Sequence, residues 1–526
     1  MSVIKPKNDM TAIHHVEAAS EKSIPEQARG LTESHRTYLL ARHGTLYLEP
    51  MPSEDPADPY NWPRWKAFVN LSLVSFHALM IGFMTGGPIA AFSNLADDLD
   101  ISITTASYSV SVQILLLGLA PLFWGPLSER YGRRPIWLVS TLLSAVCNVG
   151  CATSKTFGQL MVARIFQSVF NAPAGAIGTA VVVELFFAKE LSQKIGIWVL
   201  MVTLGNPLGP FLMGFVATRA GWRWIFYIFT IINGVQFLGY LFFSPETRFV
   251  RGHADSDSAA VSKKSSFRDR YFRFGKIPGS QALAARDFYD PFLLLRHATV
   301  WIPTLAHSII FGFCSVLICV EIPALLGAKF NLNAQATGLN FAGNIIGGIV
   351  GEQLSGPLSD FFRNRGRAKK HDGAVPPAEN RLWFSYPAFG LCIAGFVVFL
   401  VTLAQATPGV WNIRPNIGLA ICAAGNQMQT TALFTYAVER NLNHSGGVGV
   451  IIILVRQVWS FIGPFWFPIM FASIGIKNSA ALCSALMVAF AVVPTLIQQF
   501  WLGRKSADSR RSELDVEAMS APAHEA

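Results

Sequence analysis

Long apolar stretches, each bounded by a short polar turn, recur along almost the whole chain. A helix that crosses the roughly 30 Å hydrocarbon core of a bilayer needs about 20 predominantly apolar residues. Applied to this chain, that criterion predicts twelve membrane-spanning helices, near residues 67–91, 105–125, 135–153, 157–183, 194–216, 223–243, 299–322, 336–355, 382–403, 415–437, 447–471 and 479–501. The pattern therefore predicts an all-α membrane protein.

One of the polar turns recurs in the second half of the chain. The turn after the second span begins Gly125-Pro126-Leu127-Ser128-Glu129, and the turn after the eighth span begins Gly356-Pro357-Leu358-Ser359-Asp360, 231 residues later. Arginines follow each opening: Arg130, Arg133 and Arg134 with Gly132 in the first turn, and Arg363, Arg365 and Arg367 with Gly366 in the second. An echo at nearly half the chain length indicates an internal duplication.

Shorter matches keep the same register and divide the chain. His77-x4-Gly82-Phe83 is answered by His307-x4-Gly312-Phe313, at an offset of 230 residues. We therefore predict two pseudo-symmetric six-helix bundles, at residues 67–243 and 299–502, joined by a polar linker at 244–298. Polar tails occupy residues 1–66 and 503–526, and we expect the first to be disordered up to about Asp55.

Composition agrees with a polytopic membrane protein. Hydrophobic residues make up 52% of the chain and charged residues only 14%, whereas about a quarter of the residues of a soluble domain are charged. The net charge of +10 is spread over short loops rather than gathered on one domain, so we do not expect nucleic acid as a partner. All seven cysteines fall inside apolar runs, which indicates packing residues and neither disulfides nor a metal site.

The positions of lysine and arginine predict the orientation. Outside the N-terminal tail, the even-numbered turns and the C-terminal tail hold 26 of these residues, and the odd-numbered turns hold six. Because positive residues accumulate on the cytoplasmic side of a membrane, both termini are expected to be cytoplasmic. We expect a multi-pass protein of the cell membrane.

Three motifs narrow the class of protein. They are Gly125-x3-Glu129-x2-Gly132-Arg133-Arg134 after the second span, Arg164-x2-Gln167 in the fourth, and Gly205-x3-Gly209-Pro210-x2-Met213-Gly214 in the fifth. Together with two six-span halves, they resemble the major facilitator superfamily, and the third resembles the signature of the twelve-span drug:proton antiporters. Trp222-Arg223-Trp224-Ile225-Phe226 and Pro245-Glu246-Thr247-Arg248, at the two ends of the sixth span, add a likeness to fungal members. The chain departs from these signatures at Glu129, Ser168 and Met213.

That resemblance implies a secondary transporter that works by alternating access, without a cofactor or enzymatic activity. We expect proton-coupled efflux of a drug-like or specialised metabolite by a monomer in the lipid bilayer. An importer of nutrients or organic acids with the same fold, or a membrane sensor that does not transport, remains an alternative.

The turn between the second and third spans is the candidate gate. Glycines let helix ends approach closely, and Glu129, Arg133 and Arg134 can make charge-assisted bonds across the two halves at the cytoplasmic face. Glu184, at the cytoplasmic end of the fourth span, is a candidate partner of these arginines. In the second turn, Gly356 is the counterpart of Gly125, and Asp360 is the counterpart of Glu129. Alternatively, the arginines only hold the loop inside.

Two arginines lie well inside predicted spans, Arg164 and Arg456. A charge at that depth is costly unless it faces protein or water, so we expect both to line a cavity, with a buried hydrogen-bonding role as the alternative. Two positive charges in a cavity would favour the binding of an anionic cargo. The other substrate candidates are Gln167 and the polar residues of the tenth span, Asn426, Gln427, Gln429 and Thr430.

Two histidines and one carboxylate are candidates for carrying the proton. His77 and His307 occupy equivalent places in the two halves, and the pseudo-two-fold relation predicts that they face each other across one cavity. The alternative is that each bonds two helices together. The first span has no carboxylate at mid-depth; among Glu321, Glu352 and Glu439, we expect Glu352 to be the least exposed.

The glycines and prolines of the fifth span are the remaining candidates. Gly205, Gly209 and Gly214, with Pro210, let a helix bend and pack tightly against a neighbour. The resemblance implies that Gly209 and Pro210 shape a barrier against leakage. Packing alone is the alternative.

Overall fold

The computed structural model describes residues 31–55, 57–249, 275–277, 283–364, 378–441 and 444–500. The described residues are overwhelmingly helical and contain no β-strand. Helical segments occur at each of the twelve predicted positions. The predicted class, an all-α membrane protein, is therefore confirmed.

The observed helices extend beyond the predicted spans at most ends. Their bounds, from the first span to the twelfth, are Arg64–Leu99, Ile103–Leu119 with Pro121–Tyr131, Arg133–Thr153, Phe157–Leu185, Ala188–Ala220, Trp222–Phe243, Ala298–Phe330, Ala334–Leu339 with Ala342–Asn364, Leu382–Gln405, Arg414–Arg440, and Gly446–Phe500 for the last two together.

The last two spans are separated by a single residue. Gly475 has φ 77° and ψ 161° inside an otherwise helical run, a backbone conformation that side-chain-bearing residues rarely adopt. The chain reverses there and forms two spans.

Length and apolar character alone identify eight helices that could cross a membrane in the described residues, and nine if a pair bent by 44° at Ala120 is one span. One of the eight is the run Gly446–Phe500, which the break at Gly475 divides. The eighth and tenth spans do not pass this test; both carry polar side chains, among them Glu352 and Gln427.

The N-terminal tail is more ordered than its composition predicts. Residues Glu33–His43 form a helix whose Leu39 is fully buried. Arg42 donates two hydrogen bonds to the carbonyl oxygen of Asn61, and the ring of His43 packs edge-on against Phe187 at the start of the fifth span. The prediction of disorder up to Asp55 is therefore wrong for the described part of the tail.

The linker is also ordered at its two ends. Residues 244–249 pack against the first bundle, and Arg286–Leu293 form a short helix before the seventh span. Phe288 of this helix contacts Phe123 of the second span, with 5.9 Å between ring centroids. Residues 250–274 and 278–282 lie outside the described residues.

The two halves repeat one packing scheme. Gly82 of the first span lies against the backbone of Gly205 and Asn206 in the fifth span. Its counterpart Gly312, in the seventh span, lies against the indole of Trp459 in the eleventh. The His-x4-Gly echo therefore marks equivalent helix contacts in the two halves.

The fifth span packs against the first through backbone atoms. A Cβ atom at Gly205 would strike the carbonyl oxygen of Leu79, and one at Gly209 would lie 2.7 Å from the amide nitrogen of Gly87. These two helices approach so closely that no side chain fits between them. Small residues at a helix interface allow this kind of contact inside a membrane.

The C-terminal part of the same helix joins the two halves. A Cβ atom at Gly214 would lie 2.6 Å from the carbonyl oxygen of Ala334, and Gly338 packs against the carbonyl of Pro210. The backbone amide of Gln335 donates to the hydroxyl of Thr218 at 2.9 Å. We call this contact between the fifth and eighth spans the closed end.

Replacing Gly205 with alanine should destabilise the protein, because the added methyl group has no space against the Leu79 carbonyl. Overpacking of this kind costs about 1–3 kcal/mol. Gly196→Ala in the same helix is the matched control, since nothing lies within 4 Å of the position its Cβ would take. Thermal unfolding of the purified variants measures the difference, and equal stabilities would contradict the packing described here.

Candidate functional site

Arg133, at the start of the third span, joins the ends of three helices. Its Nη2 lies 2.6 Å from Glu129 of the second span and 3.0 Å from Glu184 of the fourth, and its Nη1 donates to the hydroxyl of Ser128. The guanidinium is 3% exposed. The structure thus places the predicted partner, Glu184, beside Arg133.

Arg134 and Glu246 tie the sixth span to the same place. Arg134 donates to the carbonyl oxygens of Tyr240 and Leu241 at 2.8 Å and also to that of Ser244. Glu246 accepts from the backbone amides of Arg133, Arg134 and Arg248 at 2.9–3.1 Å. Burial raises the pKa of the Glu246 carboxyl group, whereas these backbone donors act in the opposite direction.

Gly132 is required at this junction. It has φ 95°, and any Cβ atom there would collide with the Glu246 carboxylate. Gly125 has open space around it, so no contact in this conformation demands a glycine at that position.

In the described part of the chain, the contacts of Arg133 and Arg134 given above are made within the first half, whereas the prediction placed them across the two halves. Arg248, from the end of the sixth span, lies 2.5 Å from Glu129 and completes the set. Every partner of Arg133 named above lies on the second, fourth or sixth span or the segment that follows it. In this conformation the network holds one bundle together at its arginine-rich face.

The second half contains an equivalent network around Arg381. This residue, just before the ninth span, donates from Nε and Nη2 to both carboxylate oxygens of Glu439, at 2.8 and 2.9 Å. It also donates to the hydroxyl of Ser359 at 2.7 Å and to Asp360 at 3.1 Å. Ser359, Asp360 and Glu439 therefore correspond to Ser128, Glu129 and Glu184. We call the end of the molecule that carries Arg133 and Arg381 the arginine face.

The sequence echo does not identify Arg381. It matches Arg363, which lies 3.7 Å from Glu439, and Arg365 and Arg367, which lie outside the described residues. The arginine that fills the place of Arg133 instead follows a longer polar insert, 21 residues after Asp360. Arg381 is identified by its position at the start of the ninth span and not by its spacing from the motif. Gly356, like Gly125, has open space around it.

Arg164 is sealed inside the first bundle. It has no exposed surface and donates to the backbone carbonyls of Met84 at 3.2 Å and Ser109 at 3.4 Å, and to the side chain of Gln167 at 3.2 Å. Its guanidinium lies over the ring of Phe226, 5.6 Å from the centroid. The prediction that Arg164 lines a cavity therefore does not hold in this conformation, in which Arg164 joins the first, second and fourth spans.

Arg456 has a different environment. It is half-buried, its guanidinium lies 4.2 Å from the centroid of the Phe311 ring, and its Nη1 donates to Nε2 of His307 over a long 3.5 Å. The other ring nitrogen of His307 donates to Oε1 of Gln429 at 3.4 Å, and Gln429 also contacts Asn426 at 3.1 Å. We call these five residues the Arg456 cluster.

The Arg456 cluster keeps free binding capacity. Nε of Arg456 is buried, and no acceptor for it exists among the described residues. A cation that is stabilised by one long hydrogen bond and an aromatic ring can still take an anion. The seventh, tenth and eleventh spans bring this cluster together, in agreement with the polar residues singled out in the sequence.

His77 does not face His307, which corrects that prediction. Its Nδ1 donates to the hydroxyl of Tyr240 in the sixth span at 3.1 Å, and its ring packs against Trp137 of the third span. His307 points toward the tenth and eleventh spans. Equal position in sequence therefore does not give these two histidines equal surroundings.

The carboxylates also differ from expectation. Glu321 is 4% exposed, whereas Glu352 is half-buried, so Glu352 is not the least exposed of the three. Glu352 nevertheless lies at the junction of the halves, because Gln427 donates to it at 3.0 Å and to Thr203 of the fifth span at 2.8 Å.

Two polar residues of the first bundle escaped the sequence analysis. Gln113 and Asn171 have no exposed surface, and neither amide side chain has a hydrogen-bond partner among the described residues. Polar amide side chains inside apolar spans often indicate a functional role, and this criterion would have identified Gln113 and Asn171 from the sequence.

Helical segments at the twelve predicted positions of the described residues, eight or nine of them long and apolar enough to cross a membrane, are typical of a multi-pass membrane protein. The chain belongs to the Major Facilitator Superfamily, whose family model matches residues 74–464. The family resemblance seen in the motifs is therefore confirmed.

Several relatives of this chain are named as fungal transporters. Citrate exporter 1 of Aspergillus niger is 28% identical over 400 residues, which cover 72% of this chain and 75% of the relative. The probable efflux pump mfs2 of Aspergillus flavus is 24% identical, over 78% of this chain and 96% of the relative. The MFS transporter cpaT of Aspergillus oryzae is 25% identical, over 88% and 92%.

Neutralising either member of the Arg381 and Glu439 pair should destabilise the second bundle. Hydrogen bonds to charged groups contribute about 1.5–3 kcal/mol, so Arg381→Gln and Glu439→Gln are each expected to lower the free energy of unfolding by that amount. The double variant should lose less than the sum, since each substitution removes the same contact. The free energies of unfolding of the wild type, the two single variants and the double variant form a double-mutant cycle. Losses of stability that simply add would exclude a direct interaction between Arg381 and Glu439.

Proposed function

We propose that this protein exports an anionic, drug-like or specialised metabolite in exchange for protons, by alternating access. It works in the cell membrane with both termini in the cytoplasm, as the distribution of lysine and arginine suggests. The observation that carries the proposal is the Arg456 cluster, a half-buried cation with free hydrogen-bonding capacity inside the second bundle.

The contact between the halves supports alternating access. At the closed end, Gly214 and Gly338 hold the fifth and eighth spans together through backbone atoms, while the contacts of Arg133 and Arg381 described above lie within their own bundles. Two rigid bundles joined by such small-residue contacts can rock about a site between them. The arginine face then opens or closes without breaking the networks inside either half.

Export is favoured over import by the fifth span and by the relatives. The motif glycines Gly205 and Gly209 seal the first span against the fifth, as a barrier to leakage requires. Two of the relatives are named as an exporter and an efflux pump. An anionic cargo agrees with Arg456 and with the citrate in one relative's name.

A covalent link across the closed end should stop transport. The backbone amide of Gln335 contacts the Thr218 hydroxyl, so these two residues are neighbours across the closed end. The variant Thr218→Cys/Gln335→Cys places a thiol at each of them. Oxidation is expected to abolish transport and reduction to restore it, because the halves must separate there in each cycle. Efflux from whole cells, before and after a reductant, measures the effect.

A matched pair within one half serves as the control. Asn340 and Asn416, on the eighth and tenth spans, are in contact at 2.8 Å. Linking Asn340→Cys to Asn416→Cys should leave transport intact. Full activity of the oxidised Thr218 and Gln335 pair would rule out separation of the halves at this place.

Removing the charge of Arg456 should abolish transport without unfolding the protein. In proteoliposomes with an acidic interior, the wild-type protein is expected to accumulate labelled citrate, or an aromatic carboxylate from a panel, and a protonophore should collapse the gradient. Arg456→Ala should lose this accumulation because the anion has no other cation in the cluster. Arg456→Lys keeps the charge and should retain part of the activity.

Arg414→Ala is the control for this assay, since Arg414 is exposed at the start of the tenth span. Normal accumulation by Arg456→Ala would remove Arg456 from the cargo site. Accumulation driven by an alkaline rather than an acidic interior would point to import coupled to protons.

A further inference from the structure

Glu321, in the seventh span, is a buried carboxylate that the proposed cargo site does not use. It is 4% exposed, and its neighbours Val320 and Ile322 are 3% and 0% exposed. Among the residues that the structure describes, none donates a hydrogen bond to its carboxylate and none pairs with its charge. The side chain is thus almost completely buried and has no partner among these residues.

A carboxylate in these surroundings cannot remain ionised at reasonable cost. An unpaired charge loses its hydration on burial, and nothing replaces that hydration here. Binding a proton removes the charge and leaves a neutral acid. The absence of a partner therefore has a chemical meaning, because a salt bridge would have kept the proton away.

The backbone around Glu321 is irregular on both sides. The five-residue α-helical segment Ile318–Ile322 lies between two π-helical segments, Gly312–Leu317 and Pro323–Gly327. Pro323 also lacks the amide that would complete a hydrogen bond. Wide turns of this kind are rare and occur frequently at functional sites. They allow this segment to shift or rotate at lower cost than a regular helix would.

The same segment is attached to the closed end. Cys319 accepts weak hydrogen bonds from Asn206 of the fifth span, at 3.9 Å, and Asn344 of the eighth, at 3.2 Å. The π-helical segment that follows it packs against Ala334–Leu339, the part of the eighth span that meets Gly214. Opening the closed end must therefore disturb the surroundings of Glu321.

The titratable groups around this segment lie on five neighbouring elements. These are the two π-helical segments, the helix Ser445–Met487 and, through Cys319, the fifth and eighth spans. In the described residues, the titratable and charged side chains of the first three are Cys314, Arg456, Lys477 and Cys483, with Cys319 in the segment itself, and those of the fifth and eighth spans are Lys189, Glu190, Lys194, Arg219, Glu352, Asp360 and Arg363. None of them forms a hydrogen bond or an ion pair with Glu321.

We propose that Glu321 is a protonation site of the transporter, which takes up a proton from water when the closed end opens and holds it once that end is shut. This inference rests on the proposed proton-coupled export and supplies a residue for it. The proton moves on and off one carboxyl oxygen, and no bond other than O–H forms or breaks. Cargo and proton then use separate places in the second bundle, the Arg456 cluster and Glu321.

Infrared spectroscopy of the full-length protein in lipid at neutral pH tests this assignment without any cargo. Exposed carboxyl groups are ionised under those conditions, so a C=O stretching band of a protonated carboxyl group reports a buried acid. The wild-type protein is expected to show such a band, and Glu321→Gln to lose the part of it that Glu321 contributes, since burial also raises the pKa of Glu246. Glu321→Asp should keep a shifted band, which also covers the case in which the glutamine variant folds poorly.

Glu190→Gln is the matched control, because the Glu190 side chain is 44% exposed at the start of the fifth span. It should leave the band unchanged. A band of full intensity in folded Glu321→Gln, or a wild-type protein that has no band, would overturn the assignment.

Transport of labelled citrate separates this inference from the proposed function. Glu321→Gln should retain exchange of internal for external citrate and lose accumulation driven by an acidic interior. If the wild-type protein responds to the gradient and Glu321→Gln responds equally, Glu321 is not the coupling site. If the wild-type protein ignores the gradient, proton-coupled export fails, and the infrared bands still decide whether Glu321 holds a proton.

Discussion

A guanidinium inside a membrane must find its acceptors within the protein, because hydrocarbon offers none. Four arginines meet this constraint in different ways. Arg133 and Arg381 bind carboxylates at one face, and Arg164 binds backbone carbonyl oxygens deep in the first bundle. Arg456 is the exception, with one long bond and an aromatic ring. In the described part of the chain, the first three each tie several helices together through two or more acceptors, although Arg133 and Arg164 also keep one unpaired nitrogen each, and Arg456, with the fewest contacts, marks the candidate site.

The two halves share the same helix contacts and arginine networks but differ in the residues they bury at mid-depth. Ser128, Glu129 and Glu184 have direct counterparts around Arg381, and Gly82 packs like Gly312. At mid-depth the equivalence ends: the first bundle closes around Arg164, whereas the second leaves Arg456 half-buried and encloses Glu321 without a partner. Duplicated transporters place their sites between the repeats. Here the second repeat carries the cation and the first provides a rigid partner.

The sequence predicts the helices much better than it predicts their contacts. Apolar runs located all twelve spans, and motif glycines such as Gly205 correctly indicated close helix packing. The surroundings of His77 could not be predicted, since a small rotation of a helix moves a side chain from one neighbour to another. Arg381 was missed for a different reason, because an insert separates it from its motif. Glu321 was underestimated, as burial depends on the neighbouring helices rather than on distance from a helix end.

The Arg381 network has the same kinds of contact as the Arg133 network, although a much longer segment of chain connects its members. Arg133 follows Glu129 by four residues and Arg381 follows Asp360 by 21, yet both arginines reach the same three kinds of partner. Each network is anchored by helix ends rather than by the loop between them. Evolution could therefore lengthen and diversify the eighth-to-ninth connection at little cost to the fold. The same freedom makes this connection a suitable place to insert a fluorescent domain or an affinity tag.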